Sequence, residues 1–146
     1  GGMGVCRRPG GAGSLSAGPR FERRVVAEGM RVCKVWCGRG RGMQLKRCRG
    51  GRQGPWKVWK VSPVDLKALD KWDAYSEARD EMLEATDSPH APWTVVLSND
   101  KKRARLAVIQ TVLSGLDFSG KDADAIGPID KKIVMDAQTF LKRDRE

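Results

Sequence analysis

Lys101-Lys102-Arg103-Ala104-Arg105 places four cations within five residues. The cluster follows an apolar run, Pro92-Trp93-Thr94-Val95-Val96-Leu97, and a capping triplet, Ser98-Asn99-Asp100. A helix start is already electropositive, so cations there are misplaced unless an anion sits among them. In open α/β sheets ligands lie beyond the carboxyl ends of strands, which is where this cluster falls. The pattern points to a phosphate or polyanion site at Lys101, Lys102, Arg103 and Arg105, against the plainer reading of a solvated charged face. At helical spacing Lys101 and Arg105 stack, while Lys102 is turned about 100° away. All four therefore do not grip one phosphate, and Lys101, Lys102 and Arg105 are favoured over Arg103. A second constellation, Trp56-Lys57-Val58-Trp59-Lys60, alternates aromatic and basic residues. That suits a base or a phosphate chain, but composition alone favours two packed tryptophans with solvated lysines.

Other candidates carry less. Gly115 to Asp122 (GLDFSGKD) nearly matches the Walker A pattern, but Asp122 stands where a hydroxyl must meet magnesium. The segment also follows a helical pattern instead of a strand, so a turn is expected. Asp65, Asp70, Asp73, Glu77 and Asp80 lie along one helical stretch, and Asp73, Glu77 and Asp80 can share a face. A solvated face explains them better than a magnesium contact. Cys6, Cys33, Cys37 and Cys48 lack paired C-x-x-C spacing, and the one histidine, His90, is distant. Free thiols in a reducing cytosol are expected.

The elements that must position these residues are legible in outline. Residues 1–20 are rich in Gly and Arg and are expected to form a disordered leader. A short helix over Phe21–Ala27 is stopped by Gly29. Met30–Trp36 reads as a strand, and residues 43–47 as part of a helix that its glycines weaken. Ser62-Pro63-Val64-Asp65 is a helix start that should run to about Thr86, ended by Asp87-Ser88-Pro89. Residues 92–97 form a strand apolar enough to be central in a parallel sheet. The next helix carries Leu106, Ile109, Val112, Leu113 and Leu116 on its apolar face, and residues 131–145 suggest a short amphipathic helix. The order is that of an α/β fold, and the chain reads as part of a larger α/β domain.

The 146 residues carry a formal charge of +10. Residues 1–54 hold 13 basic residues against Glu22 and Glu28, and 14 of the 17 glycines; the remainder is nearly neutral. Such a split suits a polyanion-binding arm on a neutral domain. No apolar run reaches the roughly 20 residues of a membrane span, and no secretory signal is visible.

Several motifs together resemble the polyphosphate kinase 2 family. Trp59-Lys60-Val61-Ser62-Pro63-Val64-Asp65, with Trp72 and Tyr75, is similar to the family's W-K-x-S-P-x-D…W-x-x-Y stretch. Thr86-Asp87, Ala91-Pro92-Trp93 and Ser98-Asn99-Asp100-Lys101-Lys102-Arg103-Ala104-Arg105-Leu106 resemble its T-D…A-P-W…S-x-D-K-K-R-A-R-L segment. Phe21-Glu22-Arg23, Lys34-x-Trp36 and Met43-Gln44-Leu45-Lys46-Arg47 match upstream, so residues 21–125 are covered.

The resemblance implies part of a three-layer αβα P-loop-kinase-like sandwich with a helical lid. Residues 38–72 would be lid-like, and 93–116 the last core strand and its helix. It implies magnesium-dependent phosphoryl transfer between inorganic polyphosphate and a nucleoside diphosphate, giving the triphosphate. Lys57 and Lys60 of the Trp/Lys stretch, and Arg47 in the matched Met43–Arg47 segment, complete the phosphate-binding candidates. The resemblance further implies a cytoplasmic homo-oligomer with no membrane or specific nucleic-acid partner. The alternative is a small basic protein that binds RNA or another polyanion without catalysis.

The departures from the family shape the expectation. Its Walker A and Walker B segments precede the matched region. Gly38, Gly42, Gly50, Gly51, Gly54, Cys37, Cys48 and Trp56 replace other residue types, as in a truncated or misread gene copy. These 146 residues alone are therefore expected to be an incomplete, inactive fragment. Purified chain given ADP, polyphosphate and magnesium should form no ATP, and measurable polyphosphate-dependent ATP would overturn this.

Overall fold

The computed structural model describes residues 8–52 and 71–145. It divides into two compact units, one of Gly1–Gly18 with Arg39–Thr86, the other of Pro19–Gly38 with Asp87–Glu146. In chain order the segment Arg39–Thr86 is inserted between two strands of the second unit.

That second unit holds the sheet. Strand β1 (Lys34–Gly38) pairs in parallel with β2 (Trp93–Leu97), and β2 pairs antiparallel with β3 (Val134–Asp136). β2 is therefore central, as its apolar run led one to expect, but in a mixed sheet, since β3 pairs with it antiparallel. Successive strand residues point to opposite faces. Val95 and Val96 are both fully buried, so β2 is covered on both. The fold is α/β.

Helix α4 (Lys101–Gly115) covers the Val96 face. Its contact is made by Ala104 and Ala107, clustered with Val96 and Ile133 and flanked by Val35, Val108 and Val134. The expected apolar face is corrected here: Leu106 and Ile109 are 57% and 55% exposed. Small side chains let the helix approach the sheet closely, and hydrophobicity alone ranks leucine above alanine. Helix α6 (Ala137–Arg145) packs on β2 and β3 and buries Ala137, Phe140 and Leu141. The expected helix over 131–145 thus begins later. Val134–Asp136 is drawn into pairing with β2, and Asp136 then caps α6 by accepting from the Thr139 N–H (2.7 Å) and hydroxyl (2.8 Å). Between them lies the single turn α5 (Ala123–Ile126).

Helix α1 (Arg8–Ala27) overturns part of the expected leader, because residues 8–20 are helical. Glycine-rich sequence opposes this at about 1 kcal/mol per interior glycine. Long-range contacts in the second unit hold its C-terminal part. His90 Nε2 lies 3.2 Å from the Pro19 carbonyl oxygen. The buried Lys34 ammonium donates to Glu22 (2.8 Å) and lies 5.2 Å from the Trp93 ring centroid. Breaking so buried a pair from one side costs roughly 3–5 kcal/mol.

α1 ends as expected at Gly29. The Met30 N–H donates to the Val25 carbonyl and the Gly29 N–H to that of Val26, a Schellman closure with Gly29 at φ +88°. The strand expected from Met30 starts instead at Lys34, since Met30 completes this cap and Arg31 turns to the end of α4.

In the first unit, α2 (Arg41–Arg52) contains the helix expected around 43–47, and α3 (Trp72–Thr86) ends where Asp87-Ser88-Pro89 required. Leu83 and Thr86 are buried, and the Thr86 hydroxyl donates to the Met82 carbonyl (2.6 Å). The helix start at Ser62 lies outside the described residues.

Gly29→Ala should cost about 1 kcal/mol, because a Cβ is strained in the left-handed region. Gly42→Ala, at an ordinary φ where a Cβ meets nothing within 4 Å, should not destabilise. Urea unfolding of the two variants checks the contrast.

Candidate functional site

Parallel strands β1 and β2 end side by side, Gly38 opposite Leu97. The next residue on β2, Ser98, donates both its N–H (2.6 Å) and its hydroxyl (2.8 Å) to the Gly38 carbonyl. The two strand ends are thereby clamped at the sheet edge that leads into α4. Glycine is not required at position 38: a Cβ there would meet Trp36 and Leu97 at 3.8–3.9 Å, ordinary contact.

Asp100 is the N-cap of α4, and its Oδ1 accepts from the N–H groups of Lys102 (2.9 Å) and Arg103 (3.1 Å). These bonds, the Arg103 N–H first, hold its carboxyl below the usual carboxylate range. These helix-start N–H groups are satisfied by the chain's own carboxylate, so anion binding here falls to side chains.

The side chains of Lys101, Lys102 and Arg105 are exposed and make no hydrogen bond or ion pair among the described residues. Arg103 differs: its Nε donates to Asp130 Oδ2 at 2.6 Å. Of the four cations, only Arg103 is held by a carboxylate. Arg47 lies on α2 in the other unit. Lys57 and Lys60 lie outside the described residues.

The other end of α4 follows ordinary dipole logic. Lys121 Nζ donates to the carbonyls of Ser114 (2.9 Å) and Leu116 (2.7 Å), and Arg31 donates to that of Gly115. Cations thus close the negative end. The near-Walker segment is confirmed as a turn: Gly120 has φ +77°, Lys121 is spent on carbonyls, and Asp122 caps α5.

Among the described residues no three His, Cys, Asp or Glu side chains are placed to hold a metal ion. Asp73 and Glu77 are exposed, and Asp80 accepts from Arg79 (2.7 Å). Cys33 and Cys37 are free thiols. His90 bridges Ser88 and Pro19 at 3.2 Å each. No described helix is long and apolar enough to cross a membrane. Sequence reasoning missed Asp130, because nothing in a stretch 27 residues from Arg103 announces the pairing.

The family model for polyphosphate kinase 2 matches residues 3–124. The chain belongs to the polyphosphate kinase 2 family. The match begins well before Phe21, so most of the presumed leader lies within the family's sequence. The chain is 45% identical over 140 residues to ADP-polyphosphate phosphotransferase 1 of Rhizobium meliloti, covering 96% of this chain and 47% of that one. It is 49% identical over 113 residues to NDP-polyphosphate phosphotransferase 3 of Ruegeria pomeroyi, covering 77% and 38%. It thus spans about half or less of these relatives' length. Among solved structures, the polyphosphate kinase 2 of Arthrobacter aurescens superposes with a TM-score of 0.66 at 34% identity, covering 76% of this chain and 42% of that one.

The Asp100 cap gives a pH test. Because its folded pKa is depressed, its contribution is complete above the unfolded value of about 3.9 and is lost as pH falls through the lower folded value. The Lys102 and Arg103 amide resonances should titrate together below the usual carboxylate range. Asp100→Asn, which still caps, should abolish that titration while leaving α4 folded at neutral pH.

Proposed function

We propose that the protein to which this chain belongs transfers phosphoryl groups between inorganic polyphosphate and nucleoside diphosphates, and that Lys101, Lys102 and Arg105 hold part of the phosphate chain. The observation that carries this is three cationic side chains with no hydrogen bond or ion pair among the described residues, at the carboxyl end of paired parallel strands, in a polyphosphate kinase 2 chain. Phosphoryl transfer rests on positioning and electrostatic neutralisation, with little covalent chemistry for the protein to perform. Exposed ammonium and guanidinium groups on one helix flank suit a flexible polyanion, since each phosphate can be neutralised without a shaped pocket.

Magnesium belongs to this reading through the family resemblance. Among the described residues no three His, Cys, Asp or Glu side chains form a site for it. Magnesium is commonly held by one or two carboxylates together with substrate phosphates. We assign to a lid the expected segment of about 38–72 from Arg39 onward, since Gly38 ends β1, with Arg47, Lys57 and Lys60 as further phosphate contacts. Support comes from the clustering of Arg39–Thr86 apart from the sheet. A cytoplasmic homo-oligomer completes the proposal; the free thiols fit a reducing compartment and the exposed Leu106 and Ile109 fit a subunit contact. The rival, a basic arm binding RNA, loses its compositional basis where α1 is helical from Arg8 and the family match reaches residue 3.

In an intact homologous enzyme, Lys101→Ala with Lys102→Ala should weaken polyphosphate binding about tenfold or more. The dependence of log affinity on log salt should flatten by roughly 0.7 per lost contact. Unchanged affinity and salt slope would make the cluster a solvated face.

A further inference from the structure

We propose that Asp130 is a positioning residue that withholds Arg103 from the phosphate site, so that a polyanion meets one flank of α4 instead of two. This rests on the reading of Lys101, Lys102 and Arg105 as that site. Arg103 lies about 200° round the helix from Lys101. A free guanidinium there would offer a second phosphate contact on the opposite flank. It is instead fixed: Nε donates to Asp130 Oδ2 at 2.6 Å, and Nη2 lies 2.5 Å from the same oxygen.

The acceptor is anchored more firmly than the donor. Asp130 Oδ1 accepts the Lys132 N–H (3.0 Å), and its backbone carbonyl accepts those of Ile133 (3.1 Å) and Val134 (3.0 Å). Ile133 is a core neighbour of Val96, Ala104 and Ala107, and its carbonyl accepts the Leu97 N–H at 2.8 Å. Asp130 thus heads the turn into β3, tied to the central strand, while the Arg103 side chain is half-exposed. Hydrogen bonding by Arg103 also lowers the Asp130 pKa, so the carboxylate stays ionised at neutral pH. A half-exposed pair adds little stability; its effect is on which charges a ligand meets.

The test is a double-mutant cycle on this chain, with inorganic polyphosphate of defined length as probe and binding followed across a sodium chloride series. Asp130→Asn keeps an acceptor for the Lys132 N–H and releases Arg103. It should tighten binding severalfold and steepen the salt slope by roughly 0.7. Arg103→Gln alone should change neither, and the double variant should return to wild type. Asp124→Asn makes the same change in net charge at an exposed site and should leave the slope alone. Circular dichroism checks folding, and Asp130→Ser, which also offers an acceptor, serves if the asparagine variant is unstable. The inference is overturned if Arg103→Gln alone flattens the slope, or if Asp130→Asn matches Asp124→Asn. If Lys101→Ala with Lys102→Ala has no effect, the site reading fails and this inference with it. If that pair weakens binding while the cycle is flat, only the inference fails.

Discussion

The register of β1 on β2 is the constraint on which the second unit depends. β2 is buried on both faces, with Val95 and Val96 fully enclosed. A slip of one residue would exchange the two faces and aim each side chain at the wrong layer. The same register places Lys34 opposite Trp93 at one end and Gly38 opposite Leu97 at the other. The first juxtaposition seats the Lys34 ammonium against Glu22 and the Trp93 ring, joining α1 to the sheet. The second lets Ser98 close on the Gly38 carbonyl and directs the chain into α4. One alignment therefore fixes both the buried ion pair and the place where the cationic helix begins.

Along α4 the charges divide into two kinds. Those that answer local demands are matched: Asp100 on the opening N–H groups, Arg31 and Lys121 on the closing carbonyls, and Arg103 on Asp130. Those left over, the side chains of Lys101, Lys102 and Arg105, oppose the helix dipole and make no hydrogen bond or ion pair among the described residues. This remainder of one sign, at the carboxyl end of parallel strands, is what the proposed phosphate site rests on. The family membership supplies the class of its ligand as a proposal: a phosphate polymer.

What the sequence made legible was local. The apolar run before Ser98 marked β2, Asp100 marked the start of α4, Asp87-Ser88-Pro89 marked the end of α3, and Gly29 marked the end of α1. Each signal is a backbone demand met by a particular side chain within a few residues. The illegible parts needed partners distant in the chain. Ala104 and Ala107 are chosen for the core by the closeness of the sheet, over the more apolar Leu106 and Ile109. Val134–Asp136 extends because β2 offers it a free edge. Arg8–Arg20 is helical against its glycine content, at odds with the propensities of its own residues. At the candidate site, helical spacing separated Arg103 from its neighbours, but the residue that holds it was not foreseeable from any motif.

The insertion of Arg39–Thr86 between β1 and β2 also bears on how the sheet assembles. Every β1–β2 pair joins residues about 60 positions apart, so the chain must close a long loop before β1 and β2 can pair. By contrast, α4, α5, β3 and α6 follow β2 closely in sequence. During synthesis β1 is made well before β2, so their pairing must wait until Arg39–Thr86 has been made. The half of the unit that bears the cations can thus condense around β2 first, and β1 docks onto it as a late arrival.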